Sequence, residues 1–280
     1  MHKTDLSPTS NPSGAAPQVL DEQADERFRQ KVRELLGGNP DSVWHSGYVD
    51  HVWDKCRQPL EQYLQQSRAR RVLEFGCNIG ATSVVLARLG MKVDAVDIAP
   101  RYIEVAKENA SRFGLANQIN FTCHADSTAL PWPDATFQFI TCNSVLEYVP
   151  FSILPAVLAE LGRVLAPGGI LFVAGTSNRL SPVEIHSGRW FINYLPRSFG
   201  PAAKDVERGL FPWDVLRRFP GYTQLDVEDQ SSTYFSWKAE AGMQPSRRAF
   251  LKAIDVVSRP LGLPVGLLVP SFSSALRKPV

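Results

Sequence analysis

The sequence is short of paired cysteines, of long apolar runs and of any excess of one charge. Cys56, Cys77, Cys123 and Cys142 are the four cysteines of 280 residues. No two of them stand at the close spacing that a zinc site or a redox pair requires, so no metal is expected. They read as buried thiols in a reducing compartment, which makes a cytoplasmic location the expectation. No uninterrupted apolar run is long enough to cross a bilayer. The net charge is +2 and no block of like charge appears, so a nucleic-acid partner is not expected. Residues 1–18 are rich in Ser, Pro, Thr and Asn, lack the apolar stretch of a secretion signal, and are expected to form a disordered tail.

What is present is a regular alternation. With 44% hydrophobic residues the chain can bury a sizeable core. From Arg71 onward short apolar runs alternate with helical patterns, the signature of a parallel sheet covered by helices. The runs RVLEF (71–75), MKVDAVD (91–97), INFTCHA (119–125), FQFITCNS (137–144) and ILFVAGT (170–176) read as five strands. Pro100 and Gly114 bracket a helix over 101–113, and the stripe Leu154, Val157, Leu158, Leu161 and Leu165 marks another that ends at Pro167-Gly168-Gly169. YTQLDVED (222–229) and TYFSWKAEA (233–241) suggest a hairpin at the sheet edge. The expected fold is therefore α/β, a doubly wound, mostly parallel seven-stranded sheet with helices on both faces.

The stretch VLEFGCNIGATS holds the chemistry. Gly76 and Gly80 follow the first strand at the end of the sheet where ligands of open parallel sheets bind. Glycine there lets a ligand approach the backbone, and the following helix points free N–H groups at the same place. The spacing fits neither the G-x-G-x-x-G fingerprint nor a Walker loop, and no basic residue stands between Glu74 and Leu86 to answer a phosphate. Glu74 stands just before the turn, Asp97 ends the second strand 21 positions after Gly76, and Asp126 ends the third. Asp97 is placed for a ribose diol, unless it only caps the helix at Pro100; Asp126 has a parallel reading as a cap ahead of Thr128. Such a site suits an adenosine with no phosphates and a cationic group nearby, which S-adenosylmethionine satisfies.

Residues 71–177 resemble the class I S-adenosylmethionine-dependent methyltransferases. EFGCNIG matches their acidic residue and glycine-rich turn, VDAVDIAP their ribose acid, HADSTALPWPDATFQFITCNSVLEYV (124–149) the next two blocks, and ELGRVLAPGGILFVAG (160–175) the helix and fifth strand. The resemblance implies Glu74, Gly76 and Gly80 around the methionine end, Asp97 on the ribose, Asp126 on the adenine amino group and Asn143 flanking the cofactor after the fourth strand, with Cys77, Asn78, Ile98 and Ser127 as further cofactor-binding residues. Asn78 stands where most members carry glycine, and asparagine is a side chain that tolerates positive φ. Leu146-Glu147-Tyr148 replaces the Leu-Glu-His of the ubiquinone-pathway O-methyltransferases, which tells against a metal-assisted reading through Glu147.

An acceptor must be held by residues outside this block. Segment 19–67 is expected to be a helical lid, with Trp44, His45, Tyr48, His51 and Trp53 suited to an apolar or aromatic small molecule. Segment 179–219, leaving the fifth strand at the ligand edge, is expected to be the acceptor-binding insertion. His186 within it is the leading candidate base, with Tyr48, His45 and Tyr148 behind it. Segment 68–178 is then the cofactor-binding core, 220–242 edge strands that complete it, and 243–280 an apolar extension. Its proline-broken part, 259–272, reads as packed or as surface-lying with a peripheral membrane contact. The expected activity is O-methylation of a small molecule in a biosynthetic pathway. The alternatives are C- or N-methylation of a quinone or isoprenoid, or another reaction such as a cyclisation on the same fold.

Overall fold

A computed structural model describes residues 16–196 and 209–280. Strands β1 (Arg71–Phe75), β2 (Lys92–Asp97), β3 (Ile119–Cys123), β4 (Phe137–Asn143) and β5 (Leu165–Ser177) run parallel, and β7 (Ser271–Arg277) and β6 (Thr223–Gln224) complete one edge. The order is β3-β2-β1-β4-β5-β7-β6, with β7 antiparallel to both neighbours. Helices α3 (Ala81–Arg88) and α4 (Pro100–Arg112) link β1, β2 and β3, and α5 (Leu154–Val164) links β4 to β5. The chain reverses direction across the sheet between β1 and β4, so the loops after those strands open a crevice at their C-terminal ends.

Four of the five parallel strands stand where the apolar runs place them, within two residues; β5 starts five residues earlier than expected, at Leu165, so the helix before it ends at Val164 and Pro167-Gly168-Gly169 lies within the strand. The near-continuous burial of β1, β2 and β4 follows from helices covering both faces, whereas β3, at the sheet edge, is largely half-buried or exposed. One face carries Val72, Val93, Phe139 and Phe172 against α3 and α2 (Tyr48–Ser67). The other carries Leu73, Ile140, Leu171 and Val173 against the α5 residues Val157, Leu158 and Leu161. Burying such side chains contributes roughly 1.5–3 kcal/mol each. Helix α1 (Glu22–Lys31), capped by the Asp21 side chain at Ala24 N (3.0 Å), lies on α4. Arg112 of α4, almost fully buried, reaches Asp25 at 2.8 Å, Asn109 Oδ1 at 2.8 Å and the Phe28 ring at 4.1 Å.

The C-terminal third departs from expectation. Residues 222–241 form no hairpin: after β6 come α7 (Leu225–Glu228) and α8 (Ser232–Glu240). TYFSWKAEA alternates like a strand only in its side-chain types. Thr233, Tyr234, Phe235 and Trp237 are all buried, as in a helix enclosed on most sides. The strand that completes the sheet comes instead from the end of the apolar extension, which also contains α9 (Pro245–Ser258). Within 259–272, Val265, Leu267, Val269 and Phe272 are buried in the core clusters. That part of the chain is packed, which removes most of its apolar side chains from any membrane surface. Of the expected insertion 179–219, α6 (Pro212–Leu216) is the regular helix among the described residues; residues 197–208, and residues 1–15 of the expected tail, lie outside them. Among the described residues no helix is long and apolar enough to cross a membrane.

Candidate functional site

The turn after β1 is shaped by two backbone positions. Gly76 has φ 72° and its Cβ would lie 2.4 Å from the Val145 side chain, so any larger residue would collide with the loop after β4. Asn78 takes φ 48°, the left-handed conformation that its side chain tolerates. The Gly76 and Cys77 N–H groups bond to Val96 O at 2.8 and 3.0 Å, tying the turn to β2. The Asn78 N–H donates to Asp97 Oδ2 at 2.9 Å, and Ala99 N–H donates to Oδ1 at 2.9 Å. Asp97 thus caps the entrance to α4 and braces the glycine turn at once. Each of its oxygens keeps a second acceptor direction.

Above this turn lies a cavity of about 1130 Å³. A single small-molecule site spans roughly 300–1,000 Å³, so this one has room for two ligands side by side. Gly76, Asn78, Asp97, Ile98, Ser127 and Asn143 line one part. Across β5, Gly175 has φ 71° and a Cβ there would lie 2.5 Å from Ser144 Oγ, so the wall again depends on bare backbone. The Asn143 amide donates to Thr82 Oγ1 at 3.1 Å, which fixes its side chain at the tip of β4. Trp44, Tyr48 and His51 from the segment before β1 line the other part, with Tyr148, Ile185 and His186.

A family model described as a methyltransferase domain matches residues 72–169. The chain is 34% identical over 198 residues to the ubiquinone biosynthesis O-methyltransferase of Xanthomonas axonopodis pv. citri, covering 63% of this chain and 81% of that one. The chain belongs to the class I S-adenosylmethionine-dependent methyltransferases. A second ubiquinone biosynthesis O-methyltransferase, from Methylocella silvestris, is 30% identical over 63% of this chain and 66% of its own. The chain spans about half to two thirds of the first curated relatives it matches. In fold it resembles a candidate sarcosine dimethylglycine methyltransferase from Galdieria sulphuraria, at TM-score 0.51 and 17% identity over 92% of this chain and 99% of that one.

The cofactor of this methyltransferase family is S-adenosylmethionine, and the donor set fits it. Asp97 and Ser127 offer polar groups at successive strand tips, Ile98 presents an apolar side chain that is 61% exposed, and the turn has no cation to favour a phosphate. Not every residue expected at the cofactor reaches the cavity. Cys77 and Gly80 support the turn from behind. Glu74 is buried beneath it, accepts a hydrogen bond from Ser83, and is pushed up to about 8 by burial. Burial thus favours the protonated carboxyl, which weakens the negative flank expected at Glu74. Asp126 is exposed and accepts from Thr128 N and Oγ1 at 2.9 and 2.6 Å. It has the capping arrangement, while its neighbours Ala125 and Ser127 face the cavity.

The catalytic candidates separate in the same way. His45 is part of a turn before α2, its Nδ1 within 2.7 Å of Ser42 Oγ and 2.8 Å of Asn39 O, and is not on the cavity wall. Tyr48 is on the wall, but burial pushes its hydroxyl up to about 12, which disfavours it as a base. His186 Nε2 lies 3.2 Å from Glu147 Oε1, and Nδ1 lies 3.4 Å from the Tyr148 hydroxyl. Glu147 is buried, also accepts from Ser177 N at 3.2 Å, and its Oε2 has no partner among the described residues. The loop that presents His186 is held by Glu184. Burial raises that carboxyl, but the backbone N–H groups of His186 and Ser187 outweigh it and hold the group below the usual range. Among the described residues no three His, Cys, Asp or Glu side chains gather as a metal site.

The sequence reading missed the wall formed by Trp237 and Lys238 of α8 with Ser271 and Ser273 of β7. The first lies in the segment expected to be a hairpin, where the aromatic density of TYFSW is the sequence signal, and the second in the apolar extension, to which no strand was assigned.

Proposed function

We propose that the chain transfers a methyl group to a hydroxyl oxygen of a small aromatic or apolar acceptor, with His186 as the base. The observation that carries this reading is the line of contact from the Tyr148 hydroxyl through His186 to buried Glu147, on a cavity shared with Gly76 and Asn143. If His186 gives its Nε2–H to Glu147, the ring keeps its lone pair on Nδ1, the nitrogen beside Tyr148. When bound, S-adenosylmethionine supplies a methyl on a cationic sulfur, which keeps the C–S electron pair as the methyl leaves. The acceptor hydroxyl gives its proton to His186 Nδ1, directly or through Tyr148, as its oxygen takes that methyl. Glu147 stabilises the resulting imidazolium, since a cation beside a buried carboxylate is favoured in a low-dielectric setting. The names of the relatives, ubiquinone biosynthesis O-methyltransferases, support oxygen as the atom methylated.

In this reading Gly76, Asn78 and Asn143 border the methionine end, Asp97 takes the ribose hydroxyls, and Ile98 with Ser127 borders the adenine. Segment 19–67 serves as the lid, through Trp44, Tyr48 and His51, and segment 179–219 as the acceptor-binding insertion, through Ile185 and His186. Their enclosure excludes water and holds the reactants in line, which supplies much of the rate in such a displacement. The test is incubation with methyl-labelled cofactor and a panel of phenols beside their O-methyl ethers. Label appearing on oxygen in the phenols alone is the expected result. Cofactor binding without transfer, or label on carbon or nitrogen, would refute it.

A further inference from the structure

Beyond the base, the cavity contains a cation for which the proposed reaction has no use. Lys238 projects from α8 onto the wall formed with Trp237, Cys56, Ser271 and Ser273. Its Nζ stands 3.4 Å over the Trp237 ring and 5.7 Å from the centre of Tyr234. Trp237 is itself fixed, because its ring N–H donates to Lys55 O on α2. Among the described residues Lys238 makes no ion pair within 4.0 Å, whereas its helix neighbour Glu240 is taken by Arg57. The charges that act on it are Lys55 and Arg247, both positive, and Cys56, whose thiol burial pushes up to about 11 and so leaves neutral near pH 7. Burial, with those two cations, lowers the Lys238 ammonium to about 8. A half-buried cation at a cavity wall, with like charges near and no carboxylate, is under strain that an anion would relieve.

We propose that Lys238, held against the buried Trp237 ring, anchors a carboxylate on the acceptor. This rests on reading the cavity as the acceptor site. The anchor and the base occupy different walls. Lys238 and Trp237 come from α8, and His186 from the segment after β5. An acceptor held by its acidic group at one wall would present a hydroxyl toward the other. Lys55 lines the cavity beside Lys238 and adds to its positive field, and the serines of β7, Ser271 and Ser273, are hydroxyl donors on the same lining, so an anionic group is favoured there. The competing role for Lys238 is cover for the Trp237 face, with its charge directed to solvent.

The experiment measures binding and needs no turnover. The full chain, saturated with the demethylated cofactor, is titrated with phenylacetate, its neutral isostere phenylacetamide, and phenyl phosphate, with quenching of tryptophan fluorescence as the readout. Phenylacetate is expected to bind on the order of tenfold tighter than phenylacetamide, the ratio for one hydrogen bond to a charged group. Lys238→Met is expected to erase that preference while leaving the phenylacetamide Kd and the cofactor Kd unchanged. Lys238→Arg is expected to keep part of it, which separates loss of charge from loss of fold. Equal affinities in the unaltered chain, a preference that survives Lys238→Met, or selection of phenyl phosphate over phenylacetate would each overturn the proposal. A preserved carboxylate preference beside absent methyl transfer would instead overturn the proposed reaction and leave this site standing.

Discussion

The two halves of the cavity are built by different means. The half proposed for the cofactor comes from neighbouring strand tips, β2, β1 and β4, and depends on backbone: Gly76, the left-handed Asn78, and N–H groups bound to Val96 and Asp97. The half proposed for the acceptor is assembled from segments far apart in the chain, α2, the stretch after β5, α8 and β7, and depends on side chains. A backbone-built site tolerates little change at a few positions. A side-chain-built site can be respecified residue by residue, so the family fold fixes the first half while the particular acceptor is decided by the second.

Breaking the first half should have the largest effect. Gly76→Val places a branched side chain at φ 72° and against Val145. A left-handed residue alone costs about 1–2 kcal/mol, and the collision adds to it. Calorimetric titration should show cofactor binding lost, with a lowered Tm. Glu147→Gln should break the second half alone. Turnover should fall roughly 10²-fold, the low end for a disabled base, with cofactor affinity unchanged. Equal losses in both would mean the two halves are not separable.

Asp97→Asn sharpens the comparison, because Asn keeps one acceptor oxygen for the turn. If Asp97 takes the ribose, cofactor binding should weaken by about 1–3 kcal/mol, beside the small drop in Tm expected from leaving the Asn78 or the Ala99 N–H without its acceptor. If it is only a cap, cofactor affinity will not move.

The smallest effect concerns Glu74. Its folded carboxyl keeps a proton up to about 8, against an ordinary value of 4.5. Between those values the folded chain binds more protons than the unfolded one, so stability falls as pH rises. Glu74→Gln removes that dependence. Thermal melts should therefore show the variant gaining on the parent from pH 5 to pH 8; parallel curves would contradict the burial argument.

The same division explains what the sequence disclosed. Strands β1 to β5 were legible because each is a compact apolar run between turn residues, and the glycine turn is contiguous. The edge was not legible. β7, SFSSALR, is buried on both faces, so it shows no alternation, and its serines are weak strand formers. Segment 233–241 carries β-favouring aromatics within a helix buried around most of its girth, where tertiary packing overrides propensity. His186 could be nominated from its residue type alone, but its pairing with Glu147, 39 positions away, is a product of the fold. Lys238 was not nominated, because the aromatic run around it suggested a hairpin at the sheet edge. His45 and Asp126 were nominated by type and proximity, and local turns claim both.

The central claim is that the cavity joins a cofactor cradle to an acceptor proton relay ending at His186. The most direct test is the single-turnover rate of methyl transfer to a phenolic acceptor by His186→Ala at saturating cofactor. The account predicts a rate lowered by about 10² to 10⁴ with an unchanged cofactor Kd. Transfer at the parent rate, or a matching loss of cofactor affinity, would contradict it.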